Sequence, residues 1–119
     1  MHTDESRRIG KLNDRFRRSV LDPTVETEPL GRGLLTQGVA TLEGDDRLAA
    51  IEAVRTFDTF TNANDPYGER DFGSIEQSGH KLFWKIDVYA DATCRAGAET
   101  PDDPARSYRV LTVMLASEY

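Results

Sequence analysis

Few side chains in this chain have types and spacing suited to catalysis. It holds two histidines and one cysteine in 119 residues. A Ser-His-Asp or Cys-His site would therefore have to use His2 or His80. His2 is terminal, and His80 follows Ser78-Gly79, where a hairpin turn is expected, so neither is expected to be buried. Cys94 lies in a polar stretch beside Arg95 and reads as a free thiol in a reducing compartment. A single cysteine also excludes a disulfide scaffold and a Cys-based zinc finger, since both need several thiols.

The densest polar cluster is Asn64-Asp65-Pro66-Tyr67-Gly68-Glu69-Arg70-Asp71. Asp65, Glu69 and Asp71 can converge on a hard cation such as Mg²⁺ or Ca²⁺, which takes oxygen ligands. With Asp87 they would form the centre of a small metal-dependent enzyme. The spacing is not that of an EF-hand. The competing reading is a tight turn at Asp65-Pro66-Tyr67-Gly68, whose acids pair with arginines or cap backbone amides. Asp71-Phe72-Gly73 matches the kinase metal-binding tripeptide, but the chain lacks a glycine-rich nucleotide loop and a catalytic loop. With no GxxxxGK[ST] or GxGxxG either, the common nucleotide sites are not expected, and no cofactor is implied.

The elements that must position these residues follow from the apolar periodicity. From Thr3 to Leu21, Ile9, Leu12, Phe16 and Val20 recur at helical spacing. Asp4 and Glu5 at one end, and Arg17 and Arg18 at the other, suit the helix dipole. Asp22-Pro23 should end this helix. Its polar side carries Arg8, Lys11, Arg15 and Arg18, either a solvated basic face or a surface for phosphate or an acidic partner. Residues 22–33 read as a polar connector, and Leu34-Leu35-Thr36 as a short strand closed by Gln37-Gly38. Asp45 and Asp46 open a second helix, with Leu48, Ile51, Val54 and Phe57 roughly on one side.

Strands dominate the second half. Phe72 to Ser78 is followed by a hairpin turn at Ser78-Gly79-His80. From Leu82 to Tyr89, Leu82, Trp84, Ile86 and Val88 alternate with Lys81, Phe83, Lys85, Asp87 and Tyr89, the pattern of a half-buried antiparallel strand. Residues 90–106 form a long acidic loop. The last strand, Tyr108 to Ala116, is apolar on both faces, with Val110 and Met114 on one and Leu111, Val113 and Leu115 on the other. The expected fold is one α+β domain over residues 1–119, in the order αβαβββ, with two helices on a small, mainly antiparallel sheet. Trp84, Ile86, Val110, Met114, Ile51 and Phe16 are expected to share its core.

Two helices cover one face of such a sheet. Unless the connectors at 22–33 and 90–106 cross the other, Phe83, Tyr89, Leu111 and Leu115 should form an exposed apolar patch. Such a patch marks a protein interface, for a partner or a homodimer.

Charge narrows the classes further. Formal charge is -6, from 15 Lys+Arg against 21 Asp+Glu. The basic excess is confined to residues 1–20, so the molecule as a whole repels nucleic acid and anionic membrane. Base stacking on Trp84, Phe83 and Tyr89 is disfavoured by that charge, and Trp84 lies in the apolar register. No run approaches the ~20 apolar residues of a membrane span. The polar, acidic start Met1-His2-Thr3-Asp4-Glu5 predicts no secretory peptide and a cytoplasmic location.

Several strings together carry a resemblance. These are Leu12-Asn13-Asp14 with Phe16-Arg17-Arg18, Ala53-Val54-Arg55 with Phe57-Asp58, Asn64 to Glu69 with Asp71-Phe72-Gly73, and Phe83-Trp84-Lys85-Ile86-Asp87. The end of the chain adds Val110-Leu111-Thr112, Met114-Leu115-Ala116 and Glu118-Tyr119. In these the chain resembles a bacterial family of unknown function, domain of unknown function 3768. The resemblance implies a small alphaproteobacterial protein, often carried among plasmid or integrative-element genes, and supplies no catalytic residues. The expected function is therefore a non-enzymatic, protein-binding accessory or anti-defence factor of the anti-CRISPR or anti-restriction type. Its acidity would let it mimic nucleic-acid charge. The alternatives are a structural homo-oligomeric subunit and the metal-dependent enzyme at residues 65–71.

Overall fold

The computed structural model describes residues 3–22 and 30–119. His2 and residues 23–29 of the expected connector lie outside the described residues.

Helix α1 spans Asp4–Val20. Its start is fixed by a reciprocal cap: the Ser6 amide donates to Thr3 Oγ1 at 3.0 Å, and the Thr3 amide donates to Ser6 Oγ at 2.8 Å. Two of the amides that every helix N-terminus leaves unpaired are thereby satisfied. Strand β1 (Gly31–Leu35) is followed by a four-residue helix, α2 (Gln37–Ala40), and then α3 (Gly44–Arg55). The antiparallel strands are β2 (Phe72–Gln77), β3 (His80–Tyr89) and β4 (Tyr108–Leu115). Short 3₁₀ turns occupy Pro104–Arg106 and Ala116–Glu118. The expected hairpin forms at Ser78-Gly79, both with positive φ (56° and 79°). That pair of left-handed residues matches the twist of the flanking strands.

The sheet order is β1-β4-β3-β2, with β1 parallel to β4 and the other pairs antiparallel. This is the expected α+β fold with one element added. Helix α2 stands where only a strand end was anticipated, and Val39 on it is buried in the core. Strand β1 begins at Gly31, earlier than the expected Leu34. Its glycine-rich start has little strand propensity, but pairing with the buried β4 backbone overrides that.

Helices α1, α2 and α3 share one face of the sheet. Phe16, Val39, Ala50 and Val54 pack there against Leu82, Trp84 and Ile86 of β3 and Leu111 and Val113 of β4. The composition of this core corrects two expectations. In the antiparallel register Trp84 lies opposite Val113 and Ile86 opposite Leu111. Residues directly opposite point to the same face, so Leu111 and Val113 are the inner residues of β4. Val110 and Met114 belong to the far face. On α3, Ala50 and Val54 supply the contact, whereas Leu48 is 63% exposed and Ile51 only half-buried. The small side chains at the contact set which side of α3 turns inwards.

At the centre of this layer lies a charged group. Arg17 on α1 is fully buried. Its Nε donates to the Val54 carbonyl at 3.0 Å, and one terminal nitrogen donates to the Phe57 carbonyl at 2.6 Å and to Asp14 Oδ1 at 2.7 Å. Its guanidinium stands 4.8 Å from the ring centroid of Trp84 and 5.4 Å from that of Phe60. Desolvation drives its pKa down, opposed by the hydrogen bond and charge of Asp14. Replacing Arg17 alone would take the donor from the Phe57 carbonyl, leave the Val54 carbonyl with only the Phe57 amide, and remove one of Asp14's three cations. Arg17→Met is expected to destabilise the fold by about 3 kcal/mol in urea unfolding followed by Trp84 fluorescence. A loss below about 1 kcal/mol would show that water or rearranged side chains satisfy those carbonyls equally well.

Candidate functional site

Two regions gather the candidate residues, one on each side of the sheet. The first is the face that none of the three helices covers. Alternation along the strands places Phe72, Phe83, Tyr89, Tyr108, Val110 and Met114 there, with Leu34 from β1. Tyr119 folds back onto it. The Phe72 and Phe83 rings are 5.4 Å apart, and Tyr119 stands 6.1 Å from Phe72 and 5.4 Å from Phe83. Val110 and Met114 are almost fully buried, Phe72 and Phe83 are half-buried, and Tyr119 is 76% exposed.

The four residues expected to form one partner-binding patch are divided by the sheet. Phe83 and Tyr89 lie on the open face. Leu111 is in the helix-covered core and Leu115 packs at its edge. Both residue sets of β4 are apolar, so its own sequence does not say which set is inner; the register with β3 decides it. Phe72, Tyr119 and Leu34 take the vacated places. The charges around this face are Arg32, Lys81, Lys85, Glu76 and Asp87. Lys85 pairs with Asp87 at 3.1 Å, Lys81 stands 5.8 Å from the Phe83 centroid, and Arg32 stands 5.9 Å from that of Tyr108.

The second region is a groove of about 500 Å³ between α1 and residues 60–70. Arg7, Lys11 and Asp14 line it from the helix, and Phe60, Thr61, Asn62, Asp65 and Arg70 from the loop. The two walls meet where Gly10 abuts the Gly68 carbonyl oxygen, so closely that a Cβ on Gly10 would collide with it. Asp65 organises the loop. Its amide donates to the Thr61 carbonyl, its carbonyl accepts from the Gly68 amide, and its carboxylate accepts from the Arg70 amide at 3.1 Å. That last bond holds Arg70 at φ 54°, a left-handed conformation that side chains other than glycine rarely adopt. The Arg70 guanidinium then lies 3.4 Å from Asp14 and 4.8 Å from the Phe60 centroid.

The turn reading of residues 65–71 therefore describes the geometry. Among the described residues, no three His, Cys, Asp or Glu side chains are placed together to hold a metal ion. Asp65 is buried and committed to the loop backbone, so it does not join Glu69 and Asp71 in a ligand set. The basic stripe is similarly broken. Arg8 pairs with Asp102 at 2.9 Å and Arg18 with Asp14 at 3.3 Å, Arg15 is exposed, and Lys11 alone of the four enters the groove.

Sequence periodicity missed the buried polar residues that brace this region. Asn13 Nδ2 donates to the Glu69 carbonyl at 2.8 Å, and Asn13 Oδ1 accepts from Arg109 Nε at 2.6 Å. Arg109 also reaches the Pro101 carbonyl and Ser107 Oγ, and burial pushes its pKa down to about 10. The available signal was positional: Asn13 and Arg17 lie on the helix side shared with Ile9 and Phe16.

Beside the groove, burial pushes the Glu69 carboxyl above its ordinary range, with smaller contributions from Asp71, Asp65 and Glu5. A raised carboxylate pKa means the folded state binds the proton more tightly than the unfolded chain. The ionised group therefore opposes folding at neutral pH, and that penalty fades as pH falls through the raised folded value. Glu69→Gln is expected to raise Tm slightly at pH 7, with the gain gone below about pH 4. A gain that persisted unchanged at acid pH would show that charge is not its cause.

Residues 35–118 match the family model described as Protein of unknown function (DUF3768), a span running from the end of β1 to the last turn. Helix α1 precedes it. No curated protein and no solved structure matches the chain. The match covers most of the sequence and includes α3, the loop wall of the groove and nearly all of the sheet, so the chain belongs to the DUF3768 family.

Proposed function

We propose that this chain is a non-enzymatic protein that acts by binding another protein through the sheet face its helices leave uncovered. The observation that carries this reading is the aromatic trio Phe72, Phe83 and Tyr119 on a face carrying none of the three helices, with Leu34 exposed on the same face at the β1 edge. Aromatic anchors with a polar rim are the usual composition of a protein-binding patch. Lys81 and Arg32 lie over aromatic rings of this face. The favoured occupant is a different protein, presenting an apolar surface flanked by carboxylates that meet Lys81 and Arg32.

A mobile-element setting, implied by the resemblance, would make that partner a component of a host defence system. Mimicry of nucleic-acid charge is the weaker route. It needs a run of free carboxylates, and of the 21 acids Asp4, Asp14, Glu52, Asp87, Asp102 and Asp103 are paired with Arg or Lys. Among the described residues no helix is long and apolar enough to cross a membrane.

The test compares wild type with the double variant Phe83→Asp, Tyr119→Asp, its fold checked by circular dichroism. In capture from a lysate of the encoding organism, a partner retained by wild type and by the control Leu48→Asp should be lost by the double variant. Equal capture by all three would remove the sheet face as the binding surface. A wild-type dimer that the double variant converts to a folded monomer would replace the heterologous partner with a second copy.

A further inference from the structure

We propose that the groove between α1 and residues 60–70 is a binding site for a small molecule carrying a phosphate group. The argument begins with Asp14. This single carboxylate faces three guanidiniums, those of Arg17 at 2.7 Å, Arg18 at 3.3 Å and Arg70 at 3.4 Å. Arg17 and Arg18 do not line the groove, but by sharing Asp14 they leave Arg70, which does, incompletely neutralised. Lys11 adds positive charge, since it enters the groove and makes no ion pair among the described residues. Arg7 has only the exposed Asp4 as its partner. In a chain of net charge -6, the lining thus carries three cations, Arg7, Lys11 and Arg70, against the carboxylates of Asp14 and Asp65.

The acids near the groove do not cancel this. The Asp65 carboxylate is buried and accepts from the Arg70 amide. Glu5, Glu69 and Asp71 lie outside the lining. A phosphate ester brings close to two negative charges and three acceptor oxygens, and guanidinium groups recognise it with directed, charge-assisted hydrogen bonds. Thr61 and Asn62 add a hydroxyl and an amide to the same wall. The volume, about 500 Å³, falls in the range of small-molecule sites. Arg70 is held ready by its left-handed backbone and by the Phe60 ring beneath it, so little ordering is left for the ligand to impose. The site faces away from the aromatic sheet surface and does not rest on the partner-binding reading.

The probes are glucose 6-phosphate, glucose, inorganic phosphate, sodium chloride at matched ionic strength, and a single-stranded oligonucleotide, titrated calorimetrically into the full chain. Glucose 6-phosphate and phosphate should bind, and glucose and chloride should not. Lys11→Gln, on an exposed unpaired residue, should weaken glucose 6-phosphate by about tenfold without changing Tm. Arg70→Gln should weaken it at least as much. Equal affinity of wild type and Lys11→Gln would overturn the proposal, as would no phosphate binding up to about 10 mM. Oligonucleotide binding that outcompetes glucose 6-phosphate at equal phosphate concentration would assign the groove to nucleic acid instead.

Discussion

The constraint on which the structure depends is the burial of the Arg17 guanidinium. An ion taken out of water costs several kcal/mol unless its partners are in place. Here the partners come from three elements. Asp14 is one helical turn back on α1, the carbonyls of Val54 and Phe57 close α3, and the Trp84 ring stands on β3. The hydrogen bonds tie α1 to the end of α3, and the ring contact seats this pair against Trp84 of β3. The apolar contacts among Phe16, Val54 and Trp84 would tolerate a sliding helix; the directed hydrogen bonds of one planar cation would not. Helix α1 is therefore fixed in rotation as well as in depth, which decides which of its residues reach the groove.

A second buried arginine extends the same control outward. Arg109 joins β4 to Asn13 and to the Pro101 carbonyl, and Asn13 passes the connection to the Glu69 carbonyl. Through this chain of polar groups α1 holds both long irregular segments, residues 56–71 and 90–107. Loops of that length have a large conformational entropy to lose. Side chain to backbone bonds, rather than a regular ladder, define their shape. These bonds brace the groove wall, and Gly10 lets the loop backbone sit directly against the helix.

Much of this was legible in the sequence where one periodicity dominated. Helix α1, the alternating β3 and the Ser78-Gly79 hairpin follow from apolar spacing and turn chemistry alone. Strand β4 defeated the same reasoning because Val110 and Met114 are as apolar as Leu111 and Val113, so only the pairing with Trp84 and Ile86 orients it. The inward arginines defeated it for a different reason. Arg17 reads as a dipole-matching charge, and the burial of both arginines depends on partners far away in the chain, the Val54 and Phe57 carbonyls for Arg17 and the Asn13 side chain for Arg109. Local pattern cannot report a partner 37 or 40 residues distant. At Asp65 the sequence offers both a cation site and a tight turn, and the turn forms because Asp-Pro and a following glycine act locally.

The sheet separates the groove from the aromatic face, yet one segment touches both. Arg70 faces the groove, and Phe72, two residues on, begins the aromatic trio. Between them, the Asp71 carbonyl accepts from the Ile86 amide at 2.8 Å, adding a ladder bond just before β2 begins. This bond pins the peptide to β3, a strand buried on one side by the core and flanked on both edges. The segment therefore serves as a common anchor, with one backbone bond to β3 fixing the peptide between the groove residue Arg70 and the aromatic residue Phe72.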